Sequence, residues 1–263
     1  MNTATTSIAN AALLPMPRRR VLAAYLQEAR AECLRYLRSP SFMLPTLLFP
    51  AVFFLMFGVV LGGHGPAEAP RFLLASYSSF GVMAPGLFGF GMSLALERDN
   101  GLLTLKRALP MPAAAYLLGK MVMAMLMAAL ISILLQGLGV ALAHVQPQPV
   151  QMLQLALVCI AGSVPFCALG LLLGTLVKGH GAPALVNLLY LPMAFLSGLW
   201  FPLSVLPAVL RAQAPLWPSY HLNALAQAAV GFDTGSAWPH VAWLALFSVV
   251  VFAIASWRLR RHG

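Results

Sequence analysis

Charged side chains are scarce in this sequence. Asp, Glu, Lys and Arg make up 8% of its 263 residues, whereas hydrophobic residues make up 60%. A soluble domain carries about 25% charged residues. The charges that are present are mostly basic, with 16 Lys and Arg against 6 Asp and Glu. This composition excludes an ordinary soluble domain and indicates a protein embedded in a lipid bilayer.

Several kinds of functional group are missing as well. The long apolar stretches hold no ionisable residue near their middle, which argues against a carrier driven by its own proton or ion relay. No G-x-x-x-x-G-K-[ST] loop is present, so we expect no ATP site of this type. The three cysteines and six histidines follow no metal-ligand or redox spacing, and we expect neither a metal nor another cofactor.

Six apolar stretches have about the length that a helix needs to cross roughly 30 Å of hydrocarbon. They cover residues 42–62, 72–95, 119–143, 152–176, 184–206 and 241–257. Every Lys and Arg except Arg71 and Arg211 lies before the first stretch, after the sixth, or in or beside the connections between stretches two and three and between four and five. If each stretch crosses the membrane, all of these segments lie on the same side. Cytoplasmic loops hold the excess of Lys and Arg. The sequence therefore predicts an all-α protein with six transmembrane helices, both termini cytoplasmic, and no nucleic-acid partner.

The chain before the first stretch divides into two parts. Residues 1–17 are small and polar and predict a disordered cytoplasmic tail, followed by a single membrane domain over 18–263. Residues 21–38 have the spacing of an amphipathic helix. We expect this helix to lie in the membrane interface, with three basic side chains near anionic head groups: Arg30, Arg35 and Arg38. The alternative is a plain entry to the first span, which Pro40 disfavours.

The longest predicted cytoplasmic connection, residues 97–112, combines charge with an apolar face. A short helix over 101–109 would place Leu102 and Leu105 on one face and would stop at Pro110. An apolar face held outside the membrane is typical of a docking element for another protein. A loop that only fixes the topology is an equally good reading of the pattern.

The predicted outer segment, residues 197–240, is rich in aromatic residues and proline. Trp and Tyr gather at membrane interfaces, so we expect short re-entrant helices between spans five and six, over residues 203–211 and 222–230. Irregular backbone at that depth must be covered by protein or face water. The segment is therefore either a cap or an outer gate, with these gate candidates: Trp200, Phe201, Pro202, Pro218 and Tyr220.

Two runs of residues carry a resemblance to a known family. The first is Glu97-Arg98-Asp99-Asn100-Gly101, followed by Lys106-Arg107, Leu109-Pro110 and Gly119-Lys120. The second is Leu196-Ser197-Gly198-Leu199-Trp200-Phe201-Pro202, followed by Pro218-Ser219-Tyr220. In order and spacing both resemble the motifs of ABC-2 type permeases, the membrane subunits of ABC exporters. Leu102 departs from the pattern, because the family often has Thr there.

The resemblance implies a function and partners. The chain would form the translocation path for a hydrophobic or amphipathic substrate such as a drug, lipid or glycan. It would have no ATP site of its own and would pair with a second permease copy and two ABC ATP-binding subunits. The residues implied to couple to the ATPase are Glu97, Arg98, Gly101, Leu102, Leu105, Lys106, Arg107 and Pro110. The rival hypothesis is a membrane scaffold or an intramembrane enzyme.

Overall fold

The computed structural model describes residues 17–61, 66, 68–108 and 111–262, and this part of the chain is helical without any strand. Residues 1–16 of the predicted tail and Pro110 of the predicted coupling segment lie outside these ranges. The division into a tail and one membrane domain stays a prediction.

The helices follow one another closely along the chain. They are α1 (Arg18–Leu37), α2 (Pro40–Phe54), α3 (Ala69–Ala84), α4 (Ser93–Asp99), α5 (Leu102–Ala108), α6 (Ala113–Ala141), α7 (Pro149–Gly162), α8 (Val164–Leu176), α9 (Ala182–Leu196), α10 (Ala208–Gln213), α11 (Pro218–Ala229) and α12 (Ala237–His262). Two π-helical segments extend helices, Leu55–Val60 after α2 and Pro85–Met92 between α3 and α4. Short 3₁₀ turns occupy Gly179–Gly181, Leu203–Val205 and Ala214–Leu216.

Five continuous helices of the described chain are long and apolar enough to cross a membrane. They are Pro40–Val60, Ala69–Asp99, Ala114–Ala141, Pro149–Leu176 and Ala237–Leu259. They match the predicted stretches 42–62, 72–95, 119–143, 152–176 and 241–257. A multi-pass all-α membrane protein is therefore confirmed.

The remaining stretch, 184–206, differs from its prediction. Its helix α9 ends at Leu196 and has 15 residues, which is about 22 Å at a rise of 1.5 Å per residue. Gly198 then adopts a positive φ of 76° and the chain turns. A sixth crossing accordingly stays a prediction. The short helices beyond it are α10 and α11, and their bounds differ from the expected 203–211 and 222–230. Pro207 directly precedes α10 and Pro218 is the first residue of α11, because proline favours the start of a helix.

The span Ala69–Asp99 is the centre of the protein. In its most apolar 18-residue stretch, 83% is buried inside the protein, against 22% in the corresponding stretch of Ala237–Leu259. Tyr77, Phe80 and Leu87 on it are fully buried and pack in the main hydrophobic core. Pro85 opens the π-helical segment of this span, because proline lacks the N–H that a regular helix needs.

Glycines allow this central span to touch α8 through backbone atoms. A Cβ built on Gly170 would lie 2.2 Å from the carbonyl oxygen of Gly86, and one on Gly91 would lie 2.6 Å from the carbonyl oxygen of Gly170. Only a residue without a side chain fits such a contact. The π-helical segment and α8 therefore form a tightly packed pair on one side of the molecule.

Candidate functional site

Half of the acidic side chains of this chain gather at one site. Four of the six, Glu28, Glu32, Glu97 and Asp99, lie on α1 and α4. The first three form a charge cluster with side chains of α1, α5 and α6, and Glu32, Glu97 and Lys120 are its buried centre. We define this charge cluster by its members: Glu28, Glu32, Arg35, Glu97, Lys106, Tyr116 and Lys120.

Lys120 is the centre of the charge cluster. Its side chain is fully buried, and its Nζ donates to Glu97 Oε1 over 2.9 Å and to Glu32 Oε2 over 3.2 Å. Its third N–H donates to Ser93 Oγ over 2.8 Å. An ammonium group has three N–H donors, so every one of them has a partner.

Glu97 collects donors from three directions. Besides Lys120, it accepts from Tyr116 OH over 2.5 Å and from Arg35. Tyr116 and Lys120 are four residues apart on α6 and therefore share a face. The carboxylate of Glu97 is 6% exposed. It holds α4 to both α1 and α6 and does not face a partner protein directly.

The α1 side of the charge cluster repeats this arrangement. Arg35 bonds Glu32 over 2.5 Å, and Lys106 of α5 bonds Glu32 over 3.2 Å and also bonds Glu28. Burial opposes the charge of Arg35, but the carboxylates of Glu32 and Glu97 outweigh it and raise the pKa of the guanidinium. Glu28 and Glu32 are one helical turn apart, so both point toward α5 and α6.

Gly119 explains how α1 comes so close to α6. A Cβ on Gly119 would lie 3.2 Å from Glu28 Cγ and 3.3 Å from the backbone nitrogen of Ala29. The adjacent residues Gly119 and Lys120 thus act together, because Gly119 leaves room for the α1 backbone and Lys120 bonds the carboxylate of Glu32 on α1.

The charge cluster is electrically balanced. Its three carboxylates, Glu28, Glu32 and Glu97, face the three cations Arg35, Lys106 and Lys120. Removing one member of a buried ion pair leaves an uncompensated charge, which costs roughly 3–5 kcal/mol. A balanced network of this kind makes α1, α4, α5 and the start of α6 one mechanical unit.

The residues after Glu97 reach a different part of the chain. Arg98 donates to the carbonyl oxygens of Thr175 at 3.2 Å and Val177 at 2.6 Å, at the end of α8. The Asp99 carboxylate accepts the backbone N–H of Gly179 over 2.6 Å. Three consecutive side chains thereby tie the end of α4 to the charge cluster and to the turn between α8 and α9.

The short helix α5 lies where a docking element was predicted. Gly101 precedes it with a φ of 72°, a conformation that favours glycine. Leu103 is buried in a small core with Phe90 and Tyr116, and Leu102 is half-buried. Leu105 is 66% exposed. Lys106 points inward to the charge cluster, whereas the side chain of Arg107 lies outside the described part.

Of the basic residues predicted for the membrane interface, only one bonds within the charge cluster. Arg35 is in it, while Arg30 and Arg38 are exposed on α1. Leu22 and Leu26 on the same helix are 62% and 64% exposed. The position of α1 in the membrane interface stays a prediction.

An apolar cavity of about 580 Å³ lies between α2, the π-helical segment and α9. Its lining includes Phe42, Phe49, Phe88, Tyr190 and Leu191. A second cavity of about 230 Å³ shares Phe42 and Phe88 and reaches Arg35 and Glu97. The apolar space between the helices therefore extends to the charge cluster.

The predicted gate residues fall into two groups. Trp200 packs against the core, with its ring centroid 5.7 Å from those of both Phe53 and Phe80. The ring of Phe201 packs edge-on against Phe57. Pro218 is buried at the start of α11. Pro202 and Tyr220 line one outer cavity of about 320 Å³. The gate itself stays a prediction.

Sequence reasoning found part of the charge cluster and missed the rest. It named Arg35, Glu97 and Lys106, but gave no role to four others: Glu28, Glu32, Tyr116 and Lys120. A signal was available, because Lys120 is the one charged residue within a predicted span and Glu28 and Glu32 are rare acids at helical spacing.

Two comparisons with known proteins bear on this arrangement. The family model described as "ABC-2 type transporter" matches residues 25–231, which include the charge cluster and α5. The chain is also 28% identical over 199 residues to a Bacillus subtilis (strain 168) protein described as "Putative transport permease YvfS". That alignment covers 75% of this chain and 81% of the relative.

Proposed function

The chain belongs to the ABC-2 type transporter family, and we propose that it is the permease subunit of an ATP-driven exporter. Members of this family are membrane transport subunits, and the family implies an ABC ATP-binding partner. The finer proposal concerns direction and substrate. The chain would move a hydrophobic or amphipathic compound outward, with ATP hydrolysed by the partner.

The observation that carries this proposal is the position of α5. The helix exposes Leu105 on one side and is held on the other by Lys106 in the charge cluster. A few anchor residues supply most of the energy of a protein interface, and Leu105 is an exposed apolar side chain that α5 offers to a partner. A push on Leu105 by an ATPase would pass through Lys106, Glu32 and Lys120 to the spans.

The apolar cavity supports the substrate class. Phenylalanine, proline and leucine side chains line it, together with Tyr190 and Asn187. Pockets lined in this way take largely apolar ligands that carry a few polar groups. The cavity lies beside α2 and α9. Helix α2 begins at Pro40, directly after α1 of the charge cluster, and α9 follows the Gly179–Gly181 turn, which Asp99 of α4 binds.

We further propose an assembly and a topology. Two permease copies and two ATP-binding subunits would form the transporter, in a bacterial inner membrane. Helix α9 together with the turn after it would make the sixth crossing, so that both termini are cytoplasmic. The near-absence of Lys and Arg from the opposite connections supports this orientation.

Co-purification with the ATPase tests the coupling role. Replacing Leu102 and Leu105 by Asp should detach the ABC ATP-binding subunit that is co-expressed with the chain, because burying unpaired charge in an interface costs several kcal/mol. Leu105→Met should retain the ATPase, and Ser236→Asp, an exposed position before α12, should also retain it. Full retention by the double Asp variant would contradict the proposal.

A further inference from the structure

Two histidines join the outer helix α11 to the start of α12. The Nδ1 atoms of His221 and His240 lie 2.9 Å apart, and His221 Nε2 lies 2.9 Å from the carbonyl oxygen of Pro215. His221 is 7% exposed and stacks on Trp243, with ring centroids 4.4 Å apart. Neither histidine belongs to the charge cluster or to the five named gate candidates, although both lie in the predicted outer segment 197–240.

The hydrogen bonds determine the proton positions of the pair. A carbonyl oxygen only accepts, so His221 Nε2 carries a hydrogen and donates to Pro215. In a neutral imidazole the other nitrogen is then an acceptor. His221 Nδ1 therefore accepts, and His240 Nδ1 donates. The bond between the two rings needs one Nδ1 atom without a hydrogen, so it survives one added proton but not two.

Protonation acts unequally on the two rings. His240 can take a proton on Nε2 and still donate through Nδ1. Once His240 is protonated, a proton on His221 must go to Nδ1, which removes the last acceptor and places two N–H groups against each other. Burial lowers the pKa of His221, since the Pro215 carbonyl offsets it only in part and the neighbouring His240 lowers it further.

No counter-charge stabilises a protonated pair in the described part of the chain. Tyr220 is the titratable group in contact with both rings, at centroid distances of 5.2 and 5.9 Å. Within the described ranges, no Asp, Glu, Lys or Arg bonds either imidazole. The charged groups of adjacent elements have other environments: Arg71 lies over Phe232, Asp233 accepts from the Gly235 N–H, and Glu68 and Arg211 are exposed.

The pair also borders a cavity. His240, Tyr220 and Asn223 line the outer cavity of about 320 Å³. Asn223 is 8% exposed, and its Oδ1 has no hydrogen-bond partner in the described structure. Separation of α11 from α12 would widen this cavity and expose Asn223 more fully.

We propose that His221 and His240 form a pH-sensitive latch that holds α11 against α12 beside the outer cavity at neutral pH and releases α11 from α12 in external acid. The open state binds more protons than the latched state, so lowering the pH favours it. Free imidazole has a pKa of about 6.5, and the latch is therefore complete above this pH and is lost as the pH falls below it. The placement of the latch on the external side of the membrane rests on the topology in the proposed function.

Cysteine labelling tests the latch in the full-length protein. Cys33, Cys159 and Cys167 are replaced by Ala, and Asn223→Cys reports the cavity while Ser236→Cys, an exposed site, corrects for the pH dependence of the thiol itself. In detergent we expect the maleimide rate ratio of site 223 to site 236 to rise about tenfold between pH 7.5 and 5.5, one pH unit on each side of the free imidazole pKa of about 6.5.

Three variants make the test specific. The double variant His221→Gln with His240→Gln should show a ratio independent of pH. His240→Leu, which removes the donor, should show a raised ratio already at pH 7.5. His144→Asn, an exposed histidine before α7, should behave like the parent.

A ratio that stays flat in the parent, or a pH response that persists in the double Gln variant, would overturn the latch. Labelling of spheroplasts with a membrane-impermeant maleimide separates this failure from a failure of the topology. If site 236 reacts only after the membrane is broken, the outer placement is wrong, and with it the external role of the latch. If site 236 reacts from outside, the outer placement holds.

Discussion

Lys120 bonds Glu97 over 2.9 Å, although 23 positions separate them and both lie within helices long enough to span the membrane. Glu97 belongs to α4 and Lys120 to α6, and Glu32 of α1 bonds the same ammonium group. This pair connects the two spans at the point where the short helix α5 leaves them. It makes the link between α5 and the membrane helices a rigid one.

The Lys120–Glu97 pair should show strong coupling in a double-mutant cycle. Glu97→Gln or Lys120→Met alone leaves buried charge unpaired and should destabilise the protein by roughly 3–5 kcal/mol. The double variant should lose much less than the sum of the two, and its remaining loss reports the other partners. Thermal unfolding in detergent measures this, with Lys178→Met, an exposed lysine, as the control. Simple additivity would contradict the pairing.

The backbone contact at Gly170 should tolerate no side chain. Gly170→Ala places a Cβ about 2.2 Å from the Gly86 carbonyl oxygen, so the two helices must separate, and we expect a loss of about 1–3 kcal/mol, typical of overpacking. Gly137→Ala on α6 is the matched control, since nothing lies within 4 Å of its Cβ. The measurement is the melting temperature of each variant in the same detergent. Equal melting temperatures would argue against the close packing of α8 on the π-helical segment.

The thiol of Cys33 should react slowly with alkylating reagents. Burial and the nearby charge of Glu32 raise the pKa of this thiol, so at pH 8 it holds less thiolate than a free cysteine, and only the thiolate reacts. Its rate should keep rising with pH beyond the point at which an exposed thiol levels off. Ala31→Cys, exposed on the same helix, supplies that reference in a variant with Cys33→Ala. Coincident pH profiles for the two sites would refute the buried setting of α1 against α6.

Reporter fusions should decide whether α9 crosses the membrane. Fusions after Gly179 and Gly235 enclose α9 and the outer segment. We expect the first to report the cytoplasm and the second the exterior, since Lys178 lies before α9 and the only basic residue between the fusion points is Arg211. A fusion after Gly263 should again report the cytoplasm. The same side for the first two fusions would leave five crossings.

The sequence alone located most of the membrane helices. Length and hydropathy of a helix that crosses lipid are local properties, so five stretches were found within a few residues of their observed ends. Stretch 184–206 was read less well. Its composition continues to be apolar through Leu196, but Gly198 and Pro202 turn the chain, and hydropathy does not register a turn.

Family membership also came from the sequence, because the Glu97–Gly101 run and the Leu196–Pro202 run keep their order and spacing. What the motif residues contact could not be read in this way. Lys106 was named among the residues implied to couple to the ATPase, and its side chain turns inward to Glu28 and Glu32. Helical periodicity places a residue on a face but does not say which element covers that face.

The sequence by itself determined that this is an all-α membrane protein of a transporter family, because composition, run length and motif spacing are properties of the chain in order. Only the tertiary structure decided which charges meet. Arg35 and Glu97 are 62 positions apart and Glu32 and Lys120 are 88 apart, and no local pattern encodes such pairings. They arise because Gly119 lets α1 cross α6 and because a charge leaving water needs an opposite charge beside it.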